Sequence, residues 1–176
     1  MITLKKTATT LLASLGIATT LLLSACAGPT PTDYAEQTPK LDLQTYFNGT
    51  IDAWGVVQDR SGKVIKRFSV VMKCNWMGNT GTLDEQFTYA DGTTQQRIWT
   101  VVKKGNEYTG TAADVKGQAT GIAAGNALNW SYTLLLPIDN SVYEIQFDDW
   151  LYLMDEKTML NRAVMSKLGF RIGEVF

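Results

Sequence analysis

Histidine is missing from this 176-residue chain altogether, and cysteine occurs only twice. Without histidine the commonest general base and the commonest zinc ligand are gone, so serine hydrolases built on a Ser-His pair and His-held zinc sites are excluded. Charge of either sign is scarce in net terms, sixteen basic residues against seventeen acidic ones. A chain with no basic surplus offers nothing to a nucleic-acid backbone, and no such partner is expected. Beyond residue 25 there is no long apolar run, and no segment keeps a helical period. Fifteen glycines also interrupt the chain too often for long helices. The glycines at 117–125 are not followed by GK[ST], so they make no phosphate loop. Asp33, Asp42, Asp52 and Asp59 lack the tight alternation of a calcium loop. No cofactor, no metal and no enzymatic activity are expected on these grounds.

The strongest positive signal is at the N-terminus. Lys5 and Lys6 precede an apolar core that ends in Leu23-Ser24-Ala25-Cys26. That layout is a signal peptide closed by a lipobox, in which a peptidase cuts between Ala25 and Cys26 and the Cys26 thiol carries diacylglycerol. The apolar core is short for a span of about twenty residues and contains Thr and Ser, which argues against an uncleaved anchor. Removing residues 1–25 leaves 151 residues, one domain of ordinary size, and takes the formal charge from −1 to −3 as Lys5 and Lys6 depart. Ala27 occupies the position where an inner-membrane retention signal places Asp, so the expected destination is the outer membrane, facing the periplasm. With Cys26 lipidated, Cys74 has no partner. It alternates with Phe68, Val70, Met72 and Trp76 on the apolar face of a strand, where a thiol behaves as a small hydrophobe.

Residues 26–43, rich in Pro, Thr, Gln and Asp and without hydrophobic period, read as a lipidated Cys followed by a flexible tether. From residue 44 to 176 the pattern is that of short strands separated by turn signals. The runs are 46–57, 63–76, 83–89, 94–102, 107–112, 127–136, 142–154 and 158–164, with 169–175 available as a ninth. Eight to nine meandering antiparallel strands suit an all-β, up-and-down barrel, because closure removes exposed edges. An outer-membrane spanning barrel is disfavoured: counting back by twos from the terminal Phe176 puts Glu174 in the lipid-facing stripe.

Charged residues inside strands are the candidates for a site, because a barrel interior must satisfy or use them. Arg97 alternates with Trp99, and Glu85 with Phe87 and Tyr89. If Ala90-Asp91-Gly92 form a three-residue loop, Glu85 faces Arg97 and Leu83 faces Trp99; a two-residue loop instead puts Glu85 on the face of Ile98. An Arg–Glu pair inside would anchor a ligand carboxylate or phosphate, or serve structure alone. Asp148 and Asp149 are neighbours on one strand, so one of them faces inward, and Asp149 is expected to pair with Arg162 on the next strand. Adjacent strand residues cannot face each other across a glycosidic bond, which excludes that use of two carboxylates.

The segments Leu83-Asp84-Glu85-Gln86-Phe87, Asp91-Gly92, Arg97-Ile98-Trp99, Gly121 through Gly125-Asn126-Ala127-Leu128, Tyr132 to Pro137, Asp148-Asp149-Trp150-Leu151-Tyr152, Asn161-Arg162 and Lys167-Leu168-Gly169-Phe170 form a combined pattern. It resembles the proteobacterial lipoproteins grouped as domain of unknown function 3833, over about residues 47–175, with Leu151 where the family pattern has Met. The resemblance implies a calycin/lipocalin-like barrel in a Gram-negative envelope and no assigned activity. The expectation is a lipid-anchored protein whose barrel binds a fatty-acyl or other apolar ligand, with Glu85, Arg97, Trp99, Asp149 and Arg162 as its interior polar and aromatic lining. The alternatives are a solid barrel that docks an envelope protein partner and, last, a lipid-modifying enzyme.

Overall fold

Alternation of apolar and polar side chains at every second residue runs through most of the chain after residue 48, and the backbone follows it. The computed structural model describes residues 28–176, so the expected cleavage and lipidation positions, Ala25 and Cys26, lie outside the described residues. Ten antiparallel strands follow one another: β1 (Gly49–Asp59), β2 (Val64–Met77), β3 (Thr80–Tyr89), β4 (Thr94–Lys104), β5 (Glu107–Thr111), β6 (Ala119–Ala124), β7 (Ala127–Ile138), β8 (Ser141–Leu153), β9 (Met159–Lys167) and β10 (Phe170–Val175). Each pairs with its sequence neighbours, and β10 returns to β1, closing an up-and-down barrel. Closure leaves no free edge, and the inward set (Val70, Met72, Cys74, Leu83, Trp99, Val101, Tyr108, Leu128, Trp130, Leu134, Leu153) forms one buried core. Cys74 is in that core as a free thiol, and burial pushes its pKa up to about 11, which keeps it protonated and unreactive.

The count is ten strands rather than eight to nine because β6 lies in the glycine-rich stretch. Its inward positions are Ala119, Gly121 and Ala123, whose smallness hides the period from a hydrophobicity reading. The smallness has a packing cause. A Cβ on Gly121 would lie 2.5 Å from Trp130 Cε3, so only glycine lets that indole sit flat on the strand.

Residues 30–43 correct the expected flexible tether. Thr30 and Asp33 form a reciprocal capping box around a 3-10 turn, Pro31–Tyr34. The Tyr34 ring packs on the outside of the barrel against Trp150 and Tyr152, with ring centroids 5.6 and 5.5 Å away. The Leu41 amide donates to the Gly125 carbonyl at 2.7 Å. The chain then turns into one end of the barrel. A single helical turn, α1 (Leu43–Tyr46), capped by the Asp42 side chain on the Gln44 amide, drives Leu41, Leu43 and Phe47 into the core. Trp76 Nε1 donates to the Phe47 carbonyl at 2.9 Å, and Lys103 Nζ reaches Asp42 at 2.7 Å. Leu41 and Leu43 alone show no period, so composition reads this stretch as solvent-exposed. Burial of those two, with Phe47 just beyond, holds it in place instead. This end of the barrel is closed. The other end carries the β1–β2, β3–β4, β7–β8 and β9–β10 turns.

Candidate functional site

The β3–β4 turn decides what meets inside. Asp91 Oδ1 accepts from the Thr93 amide at 3.0 Å and from its hydroxyl at 2.6 Å. Tyr89 N donates to the Thr93 carbonyl, and Gly92 takes the positive φ of 84° that the bend requires. The loop is therefore the three-residue Ala90-Asp91-Gly92, with Glu85 opposite Arg97 and Leu83 opposite Trp99. Glu85, Arg97 and Trp99 all face inward.

Arg97 nevertheless takes a different main partner. The loop between β5 and β6 lies along β7, where Val115 bridges Leu134 and Leu135 N donates to the Asp114 carbonyl. That placement aims the Asp114 carboxylate at the guanidinium. Arg97 Nε lies 3.0 Å from Asp114 Oδ1 and Nη2 lies 2.8 Å from Oδ2, a two-pronged charge-assisted pair. Glu85 Oε2 remains 3.9 Å from Arg97 Nη1, beyond hydrogen-bond length. Asp114 carries little sequence signal, because only the folded path of its loop brings it to Arg97.

Asp149 faces inward and Asp148 outward, where Asp148 accepts from Asn129 Nδ2. The expected Asp149–Arg162 pair is not formed. Ala163, not Arg162, sits opposite Asp149, and the strand alternation turns Arg162 outward. There Arg162 bonds Glu174, which Arg171 also contacts at 2.8 Å. Inside, Glu85 Oε2 and Asp149 Oδ1 are buried without a hydrogen-bond partner. Removal from water pushes Glu85 up to about 7, against the pull of Arg97. The same desolvation, with Asp148 nearby, pushes Asp149 up to about 8. Tyr132, which feels the same charges, is held well above its ordinary value by burial.

The cluster at neutral pH therefore holds one guanidinium matched by Asp114, a largely protonated Asp149 and a Glu85 poised between its two forms. A protonated carboxyl donates a hydrogen bond and a carboxylate accepts one, so the cluster can offer both to a polar group that reaches it. Access is from the open end. The Arg97, Glu85 and Asp114 side chains keep 12%, 15% and 27% of their surface in solvent. Phe68, Phe87 and Tyr89 stand above them, with Phe68 and Phe87 centroids 5.8 Å apart and the guanidinium carbon 5.6 Å from the Phe87 ring. Below, Trp99 touches Trp130 at 5.7 Å and Tyr132 at 5.4 Å, and Tyr132 stacks on Phe147 at 4.9 Å. These rings fill the middle of the barrel.

Two concave surfaces open at the rims. One, of about 250 Å³, lies between Val64–Arg67 and Tyr89–Asp91 at the open end. The other, of about 410 Å³, lies between Leu41–Asp42, Lys103–Tyr108 and Ala123–Gly125 at the closed end. Among the described residues no group of three His, Cys, Asp or Glu is arranged to hold a metal ion.

No curated protein matches the chain. A family model described as "Protein of unknown function (DUF3833)" matches residues 20–176. A match of that extent takes in all ten strands and the interior cluster, and the chain belongs to that family of unknown function.

Proposed function

We propose that this protein is a non-catalytic lipoprotein of the bacterial outer membrane, held by lipid on Cys26 and facing the periplasm. Its barrel receives the polar end of a fatty-acyl or related amphipathic ligand at the open mouth. The observation that carries the binding reading is the pair of unpartnered buried oxygens, Glu85 Oε2 and Asp149 Oδ1, beside Arg97 and under an aromatic mouth. Orphaned buried polar atoms cost free energy, which a ligand's polar group would recover. The lipobox supports the anchor, and a barrel at a bilayer meets amphipathic molecules first. The aromatic filling below the cluster limits the ligand to its head and the first part of its chain.

Titration of the detergent-free chain lacking residues 1–26 with palmitate, followed by tryptophan fluorescence and native mass spectrometry, tests the binding reading. One bound acyl ligand, lost in Arg97→Ala, is expected. The absence of any bound or co-purifying ligand would sink it. Palmitate labelling of cells making the full chain, lost in Cys26→Ala, tests the anchor separately.

A second reading is favoured by the Trp99–Trp130–Tyr132–Phe147 packing. In that case the barrel is a solid module that docks an envelope protein, and the cluster is structural. It predicts no acyl ligand and a partner captured on the outer face.

A further inference from the structure

We propose that the open rim of the barrel is a docking surface for an anionic phospholipid bilayer, a contact that goes beyond the Cys26 anchor and does not depend on it. The β7–β8 and β9–β10 hairpin tips stand side by side at this end, with the Lys167 ammonium 3.9 Å from the centre of the Tyr143 ring. They carry Ile138, Val142, Leu168 and Phe170, which are 46%, 63%, 84% and 74% exposed. One exposed apolar side chain is ordinary on a protein surface, but four on two adjoining tips make a patch.

Turn chemistry sharpens the point. Each tip is a two-residue loop whose first residue is left-handed, Asp139 at φ 53° and Leu168 at φ 51°. Asp tolerates that conformation because its short side chain bonds locally, whereas the Leu Cβ crowds the following carbonyl oxygen there. Leu168 is thus disfavoured twice, by its backbone and by its exposure, at a position where Asn or Gly would be more stable. A residue kept against both preferences points to a use for it.

Charge names the occupant. Arg60, Lys63, Lys66, Lys167 and Arg171 stand at this rim, on a chain whose overall charge is negative. Asp59 and Asp91, ionised and hydrogen-bonded within their own turns, and Asp139 oppose them, and Arg171 is shared with Glu174, so positive charge stands at this rim in slight excess. Apolar tips ringed by Lys and Arg match a surface that is greasy within and anionic at its headgroups. The basic residues lie along the headgroup plane while Leu168 and Phe170 enter the acyl boundary.

The test uses residues 28–176, which have no lipidation site and form a closed barrel with its own core. The chain is sedimented with vesicles of phosphatidylcholine alone and of phosphatidylcholine mixed with phosphatidylglycerol. Binding is expected to the mixed vesicles only and to weaken as salt rises. The double variant Leu168→Asn/Phe170→Ser is expected to lose at least about tenfold in vesicle partitioning, since it withdraws both apolar side chains that enter the acyl boundary. Leu168→Asn alone is expected to raise Tm while lowering partitioning, which separates docking from folding. No sedimentation with the anionic vesicles, or a double variant that binds as well as the parent, overturns the proposal. A dimer in solution that this double variant disperses also overturns it, in favour of contact between copies of the chain. No acyl ligand and no Cys26 are present in the assay, so its outcome is independent of both parts of the proposed function.

Discussion

Asp149 is the residue whose chemistry departs furthest from its surroundings. A carboxyl whose pKa is higher in the folded chain than in the unfolded one binds more protons when folded. Stability therefore falls as pH rises from the ordinary carboxylate range through the folded values, about 7 for Glu85 and about 8 for Asp149. The neutral isostere Asp149→Asn is expected to raise Tm by about 10 °C or more at pH 8 and by much less at pH 5, as read by thermal unfolding at both pH values. An equal effect at both would refute the sign. Asp114 supplies the carboxylate that satisfies Arg97 directly. Asp114→Asn leaves a largely buried guanidinium short of its partner and is expected to cost about 1–3 kcal/mol in urea unfolding. Part of this was legible from the residues alone. The Asp91-Gly92 turn chemistry put Glu85 and Arg97 in register once a three-residue loop was allowed. The Arg97–Asp114 contact was not, because a loop residue's partner depends on the path the loop takes across β7.

Among the elements, the docked N-terminal segment depends on one glycine. Gly125 has φ 55°, and a Cβ there would overlap the Tyr34 carbonyl oxygen and lie 3.0 Å from that of Gln37. Gly125→Ala is expected to lift the 3-10 turn off the barrel. The expected signs are faster exchange of the Leu41 amide, which bonds Gly125, and red-shifted emission from Trp150, which Tyr34 now covers. Unchanged exchange at Leu41 would show that the segment is held by other contacts. Strands with large inward side chains, such as β2 and β4, announce themselves by alternation. β6 and α1 do not, because one alternates Ala with Gly and the other is a single turn held by tertiary burial rather than by helical propensity. Trp54 misleads in the other direction. It reads as core by type but points outward, 77% exposed.

For the molecule as a whole, closure rests on its narrowest seam. β1 and β10 share three paired positions, Val57–Val175, Gln58–Glu174 and Asp59–Gly173, extended by reciprocal Val56–Phe176 bonds of 2.9 and 3.0 Å. A Cβ at Gly173 would overlap the Gln58 carbonyl oxygen and crowd Met165 Cε at 2.8 Å. Gly173→Val is expected to open this seam, with amides of β1 and β10 losing exchange protection together while β7 and β8 keep theirs. Uniform loss across all ten strands would instead mean that the barrel unfolds as one unit.

The packing of Tyr34 on Trp150 and Tyr152 also bears on how far the protein could roam. If, as proposed, Cys26 carries lipid, the barrel grips the chain from Tyr34 onward and eight peptide steps lie between anchor and body. Eight steps span at most about 29 Å. A leash of seventeen steps, ending at Leu43, would allow roughly twice that radius. A barrel so held would be no buoy sampling the depth of the periplasm. It would keep to a layer over its own leaflet, and any molecule it meets would have to come to that layer.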